Sequence, residues 1–226
     1  MSNLKLLTSV CSEIEPILDQ VVLVGGCATE LLITDPAAPE VRYTADVDML
    51  IEVISLNEYY QIGKTLKNMG FKESQELVCR WKKDDLILDL MPTNEKVLGF
   101  SNIWYQEALM NCETKQIDSM IIRHASAPYF LATKLEAFIT RGNSDFLSSH
   151  DLEDIISVID GREEITTEVL QCNDKLKNYI QKQFSLIIKN DDFIETIPGF
   201  LPPDLANQSR VKILTERINS LAHLKL

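Results

Sequence analysis

Two aspartates, Asp46 and Asp48, stand two residues apart in the stretch YTADVDML (43–50), which otherwise reads as a buried strand. Alternate residues of a strand point to the same side. The two carboxylates therefore lie close together and repel unless a cation sits between them. Hard divalent cations such as Mg2+ take oxygen ligands, commonly one or two carboxylates plus the phosphates of a substrate. On an exposed sheet edge the same D-x-D would carry no chemistry, so its company matters. Asp89 is that company. Its strand, LILDLM (86–91), is nearly all apolar, so its carboxylate needs a metal, a base or a raised pKa. An ion pair with Arg80 or Lys83, or a strand end that reaches water, would also satisfy it. If this strand lies beside 45–53, three carboxylates meet on one edge. That is the layout of two-metal phosphoryl chemistry, with one ion at the attacking hydroxyl and one at the triphosphate and the leaving pyrophosphate.

A second local feature precedes the aspartates. VVLVGG (21–26) is a short apolar run that ends in Gly25 and Gly26, and CATELLI (27–33) follows with helical character. A strand, two glycines and a helix start present backbone N–H groups to an anion, and glycine lets a phosphate approach with no Cβ in the way. The chain contains neither G-x-x-x-x-G-K-[ST] nor G-x-G-x-x-G, so P-loop and Rossmann readings fail. His124, His150 and His223 lack metal-ligand spacing. No nucleophile elbow is present, which removes support for a hydrolase.

The elements that must position these residues follow from periodicity. Residues 3–19 carry apolar residues at helical spacing. Residues 34–44 (TDPAAPEVRYT) hold two prolines and read as a loop. Residues 45–53 alternate, which predicts a strand with one buried face. Residues 55–69 form an amphipathic helix capped by Ser55 or Asn57 and stopped by Gly70. Strands are expected at 77–83 and 86–91, a helix around 102–111 and a strand around 115–123. Pro128 opens a helix that runs to Arg141, and HDLEDIISVIDG (150–161) is another. Residues 163–189 and 205–224 read as helix. The expected fold is α+β: a mixed β-sheet with flanking helices in residues 1–125, followed by a helical bundle in residues 126–226.

The net charge of −12 is uneven, with nine acids against two bases in residues 1–55. Such a chain does not hold nucleic acid by bulk electrostatics. A nucleic-acid substrate would need a local basic surface, for which Lys64, Lys67 and Lys72, or Arg80, Lys82 and Lys83, are candidates. Each of these also reads as part of an ordinary solvated face. Five scattered cysteines without a CxxC pair suggest reduced thiols and a cytoplasmic location. The N-terminal stretch lacks the apolar region of a signal peptide, and no apolar run is long enough to span a membrane.

Taken together, GGCATELL, RYTADVDML and LILDLMP resemble the nucleotidyltransferase signature of the DNA polymerase β-like superfamily. Downstream, YFLATKLEAFITRGNSDFLSSHDLEDIISVI resembles the K-L-x-A … R … K-D-x-x-D segment of the AbiEii-type nucleotidyltransferase toxins. The likeness covers roughly residues 20–160. It implies a nucleotidyltransferase-type sheet, with a helical domain that lends Lys and Asp residues to the cleft. Gly25 and Gly26 would cradle the triphosphate. Asp46, Asp48 and Asp89 would bind Mg2+ or Mn2+, and Asp89 can also activate the acceptor hydroxyl. Lys134 resembles the phosphate-contacting lysine, and Asp151 and Asp154 match the D-x-x-D. Arg42 and Thr44 match the R-x-T-x-D lead-in. The helical spacing agrees: Lys134 flanks the Leu131/Leu135/Phe138 stripe with Arg141 farther along the same side. Lys134 also fits an ordinary snorkelling lysine, and Asp151 and Asp154 fit acids favoured at a helix N-terminus. Three departures stand out: the nineteen-residue loop between Gly26 and Asp46 is long for the family, His150 replaces its usual lysine, and GGCAT differs from the commoner GGTAL.

The activity implied is transfer of an NMP from an NTP to an acceptor hydroxyl. The acceptor would be tRNA or another cellular molecule in a toxin–antitoxin setting, with a cognate antitoxin as partner. A small-molecule acceptor such as an antibiotic, or a catalytically inactive nucleotide-binding or interaction module, are the alternatives.

Overall fold

The computed structural model describes residues 2–141 and 145–224. The chain divides into two compact units. One comprises Met1–Leu31 with Arg42–Ser126, the other Leu32–Val41 with Ala127–Leu226.

The first unit is built on a seven-stranded mixed sheet: β1 (Val21–Val24), β2 (Val47–Ile51), β3 (Lys72–Glu73), β4 (Arg80–Lys83), β5 (Leu86–Pro92), β6 (Cys112–Ile117) and β7 (Met120–Ala125). Its order is β3-β4-β5-β2-β1-β7-β6. β2 pairs parallel with β5 and antiparallel with β1, and β1 pairs parallel with β7. Its helices are α1 (Asn3–Glu13), α2 (Gly25–Leu32), α3 (Leu56–Asn68), α4 (Glu95–Leu98) and α5 (Tyr105–Met110). The central strands are apolar because both of their faces are covered. Leu50, expected on the open side of 45–53, is as buried as Met49. The expectation of a single buried face is corrected on this point. Ser55 caps α3 through Glu58 N–H. α3 lies against the sheet where Gly63 leaves room for the Trp81 ring, 3.0 Å from where a Cβ would be. The Tyr59 hydroxyl donates to Leu90 O at 2.9 Å and fixes that contact.

The expected single strand at 115–123 is instead the β6–β7 hairpin, turned at Asp118, whose φ is +52°. An aspartate tolerates this left-handed turn, so no glycine marks it. All five cysteines are free. Burial pushes the Cys11 and Cys79 thiols up to about 12.

The second unit is helical: α6 (Ala127–Arg141), α7 (His150–Gly161), α8 (Ile165–Gln171), α9 (Asp174–Ile187), α10 (Asp191–Thr196), α11 (Leu205–Ser209) and α12 (Val211–Ala222). Its core comes from residues at helical spacing, such as Leu131, Leu135 and Phe138 on α6 and Ile155, Val158 and Ile159 on α7. The expected helix 163–189 is two helices, because Asn173 accepts from Leu176 N–H and caps α9 anew. No helix among the described residues is long and apolar enough to cross a membrane.

Candidate active site

The first unit brings seven of the expected site residues together: Gly25, Gly26, Arg42, Thr44, Asp46, Asp48 and Asp89. The sheet register does most of this. Asp48 on β2 pairs with Asp89 on the parallel β5, and Asp89 pairs in turn with Arg80 on the antiparallel β4. Paired residues share a face, so the three form a row across neighbouring strands. Asp46 lies just before β2, and its carboxylate joins the row through Arg80. Trp81 falls on the opposite face and packs against α3.

Arg80 compensates the buried Asp89 carboxylate and reaches the half-buried Asp46. Its Nε donates to Asp89 Oδ1 at 2.8 Å and its Nη2 to Asp89 Oδ2 at 2.7 Å. The same Nη2 donates to Asp46 Oδ2 at 2.6 Å. The Asp89 side chain is 6% exposed and that of Arg80 22%. Hydrogen bonding to Asp89 raises the Arg80 pKa above even its ordinary high value, against the opposing effect of desolvation. Of the satisfactions the sequence allowed for Asp89, the fold uses Arg80. Lys83 sits opposite Leu86 and turns instead to Glu13 and to Met69 O.

Asp48 occupies ground that only glycine leaves. Gly25 has φ +68°, and a Cβ there would lie 1.9 Å from Asp48 Oδ2. The carboxylate therefore rests against the first residue of α2, where the helix dipole favours negative charge. Gly26 serves the next layer. A Cβ there would lie 3.0 Å from an Arg42 guanidinium nitrogen and 3.3 Å from Thr44 Cβ. The Thr44 hydroxyl donates to Asp46 Oδ1 at 2.9 Å and orients it.

Asn3, which sequence reasoning did not single out, holds this lead-in segment. Its side-chain oxygen accepts from Thr44 N–H at 3.0 Å and its amide donates to Arg42 O at 2.8 Å. These partners lie about forty positions away, and no local pattern announces them. The Cys27 thiol adds a contact to Asp46 O at 3.4 Å.

Among the described residues, no three Asp, Glu, His or Cys side chains stand close enough together to grip a metal ion as they are. A guanidinium spans Asp46 and Asp89. The donor set nonetheless suits a hard divalent cation. It consists of carboxylate oxygens on two adjoining strands and on the bend just before one of them, a cation already stands between two of them, and Gly25 leaves the room that Asp48 takes.

Lys134, Asp151 and Asp154 lie in the second unit and are brought together with one another. Lys134 Nζ on α6 is 3.0 Å from Asp151 Oδ1 and 2.6 Å from Asp154 Oδ2 on α7. All three are buried. Burial would raise the Asp151 carboxyl, but the charges of Lys134 and Arg141 outweigh it and hold the group below the usual carboxylate range. In this arrangement the Lys134 ammonium is an ion-pair centre between two helices. His150, at the start of α7, is 3.3 Å from Glu153. Residues 142–144 of the segment that carries the toxin resemblance lie outside the described residues.

No protein-family model matches the chain, and no curated protein does. Solved structures match its fold. JHP933 from Helicobacter pylori superposes with a TM-score of 0.50 at 14% identity, over 97% of this chain and 91% of that one. An antigenic nucleotidyltransferase-like protein from Paracoccidioides brasiliensis matches with a TM-score of 0.49 at 21% identity, over 85% and 91% of the two chains. At 14% identity the likeness to JHP933 is one of fold, and the fold is the mixed α+β architecture expected above.

Proposed function

We propose that the protein is a divalent-metal-dependent nucleotidyltransferase that moves a nucleoside monophosphate from an NTP to an acceptor hydroxyl. The observation that carries this reading is the register that sets Asp48 beside Asp89, with Asp46 bridged to Asp89 by Arg80 and Gly25 against Asp48. Asp46, Asp48 and Asp89 would hold Mg2+ or Mn2+. Bound there, the metal would polarise the phosphates and stabilise the charge that develops on attacking and leaving oxygens.

The chain's own residues do the rest. Gly25 and Gly26 open the start of α2 to the triphosphate, and the Arg42 guanidinium offers it a fork of donors. Thr44 holds Asp46 in place. Asp89 takes the proton of the acceptor hydroxyl. The acceptor oxygen then bonds to the α-phosphorus, and the bond from that phosphorus to the α–β bridging oxygen breaks. Pyrophosphate leaves with the electron pair, and Asp89 returns its proton to solvent.

The test is incubation of the full chain with each labelled NTP, Mg2+ and total cell extract, followed by identification of the labelled molecule. Asp46→Ala and Asp48→Ala should each abolish metal-dependent transfer while the circular dichroism spectrum is kept. Wild-type-like transfer by either variant would defeat the mechanism. Metal-dependent turnover would equally remove the alternative of an inactive module.

Two forms of the reading differ in acceptor. The sequence resemblance favours tRNA or another cellular acceptor in a toxin–antitoxin setting. A small-molecule hydroxyl is favoured by the charge pairing of the first unit. Of the six cations named as a candidate basic surface, Lys67, Lys82 and Lys83 are paired with Glu73, Glu76 and Glu13, and Arg80 with the site aspartates. Transfer that falls steeply with salt marks a polyanionic acceptor, and transfer indifferent to salt marks the small molecule.

A further inference from the structure

Asp89 carries two tasks that conflict. As a metal ligand or base it must offer a lone pair, yet both of its oxygens already accept from Arg80, at 2.8 and 2.7 Å. A carboxylate bound side-on by a guanidinium is a poor base and has little left to give a metal. Asp46 is drawn into the same grip at 2.6 Å. The arrangement is built into the sheet, because the β4–β5 register sets Arg80 directly opposite Asp89. Without that cation, Asp89 would be a nearly buried charge beside two others, which is costly.

We propose, on the nucleotidyltransferase reading above, that Arg80 is a positioning residue that is exchanged for the metal. It holds Asp46 and Asp89 while no metal is bound, yields them when a divalent ion enters, and turns its guanidinium to the triphosphate oxygens. Guanidinium and divalent ion compete for the same carboxylate lone pairs. Arginine's planar fork fits phosphate as well as carboxylate, so a released Arg80 gains an anionic partner only when nucleotide arrives with the metal. The metal alone must pay to evict Arg80 with no such compensation. Metal without nucleotide therefore binds weakly, and metal with nucleotide binds well.

The test is Mn2+ binding to the full chain without nucleotide, read by calorimetry or by the electron paramagnetic resonance signal of free Mn2+. Arg80→Gln should bind Mn2+ at least about tenfold more tightly than wild type, the size expected when a charge-assisted competitor is removed. It should also lose most of the gain in Mn2+ affinity that a non-hydrolysable NTP analogue gives the wild type. An Arg80→Gln affinity equal to or weaker than a measurable wild-type affinity overturns the exchange and leaves the transferase reading standing. If neither protein binds Mn2+, the exchange and the metal reading fall together. Should Arg80→Gln not fold, the wild type decides by NMR during a titration with Mg2+ and the NTP analogue. The Arg80 Nε–H resonance should shift in step with the Asp48 amide, and an unmoved Nε–H at saturation overturns the proposal.

Discussion

Gly25 meets two demands at once, a left-handed backbone at φ +68° and a neighbouring carboxylate in the space a side chain would take. Gly99 meets only the first: its φ is +81°, and nothing lies within 4 Å of where a Cβ would be. The two alanine variants therefore separate backbone strain from steric conflict. Gly99→Ala should cost about 1–2 kcal/mol from strain alone. Gly25→Ala should cost roughly 1–3 kcal/mol more from overpacking and should abolish transfer by displacing Asp48. Urea unfolding and label transfer on both variants check this, and equal losses would contradict the placement of Asp48. At this scale the aspartates and the glycine pair were legible in the sequence because their signal is local: a spacing of two, a lone acid in an apolar run, two glycines after a strand. Arg80 was legible only as one of two candidate partners for Asp89. The choice between it and Lys83 depends on strand register, which a one-residue slip would reverse.

At the scale of elements, α6 and α7 are joined by Lys134, Asp151 and Asp154. Asp151→Asn should cost about 1–3 kcal/mol at pH 7, because Lys134 keeps Asp154 but loses a buried charged partner. The pH dependence has a definite sign. The folded Asp151 carboxyl titrates below its unfolded value, which lies at about 3.9. Its contribution is therefore fully present above that value and is lost as the pH falls through the folded pKa. The stability gap between wild type and Asp151→Asn should narrow as unfolding is followed from pH 7 down to about pH 3. A constant gap would mean that the Lys134 pairing does not carry the effect. Helix α7 follows sequence cues closely, since 3.6-residue periodicity is local. The β6–β7 hairpin escaped because Asp118 makes its turn without glycine. The break between α8 and α9 escaped because Asn173, as a cap, interrupts an apolar pattern that continues through it.

For the molecule as a whole, the long proline-bearing loop before the aspartates is a shared segment. Residues 32–41 belong to the helical unit, where Thr34 and Asp35 N–H groups both donate to Gly161 O at 2.9 Å. Arg210 links Asp35 Oδ2, at 2.7 Å, to Asp160 Oδ2, at 2.9 Å. Burial raises the Asp160 carboxyl in spite of that guanidinium. Gly161 is the tightest point, since a Cβ there would lie 2.8 Å from Ile33 Cγ2. Gly161→Ala should therefore destabilise the chain by about 1–3 kcal/mol, measured by urea unfolding, and a neutral result would mean that Ile33 yields freely. The loop was recognisable from its prolines, but its anchorage was not, because its partners lie far along the chain. Asp35 and Arg210 are 175 residues apart. On a ribosome that adds about 5–20 residues per second, Asp35 waits on the order of 10–35 s for its partner to be made. Through that interval the sheet unit can complete its own strands, but the ten-residue segment threaded out of it has no Arg210 to secure it. In nascent chains the backbone bonds to Gly161 can therefore form first, and the side-chain anchor at Asp35 is completed only once Arg210, just before α12, is synthesised.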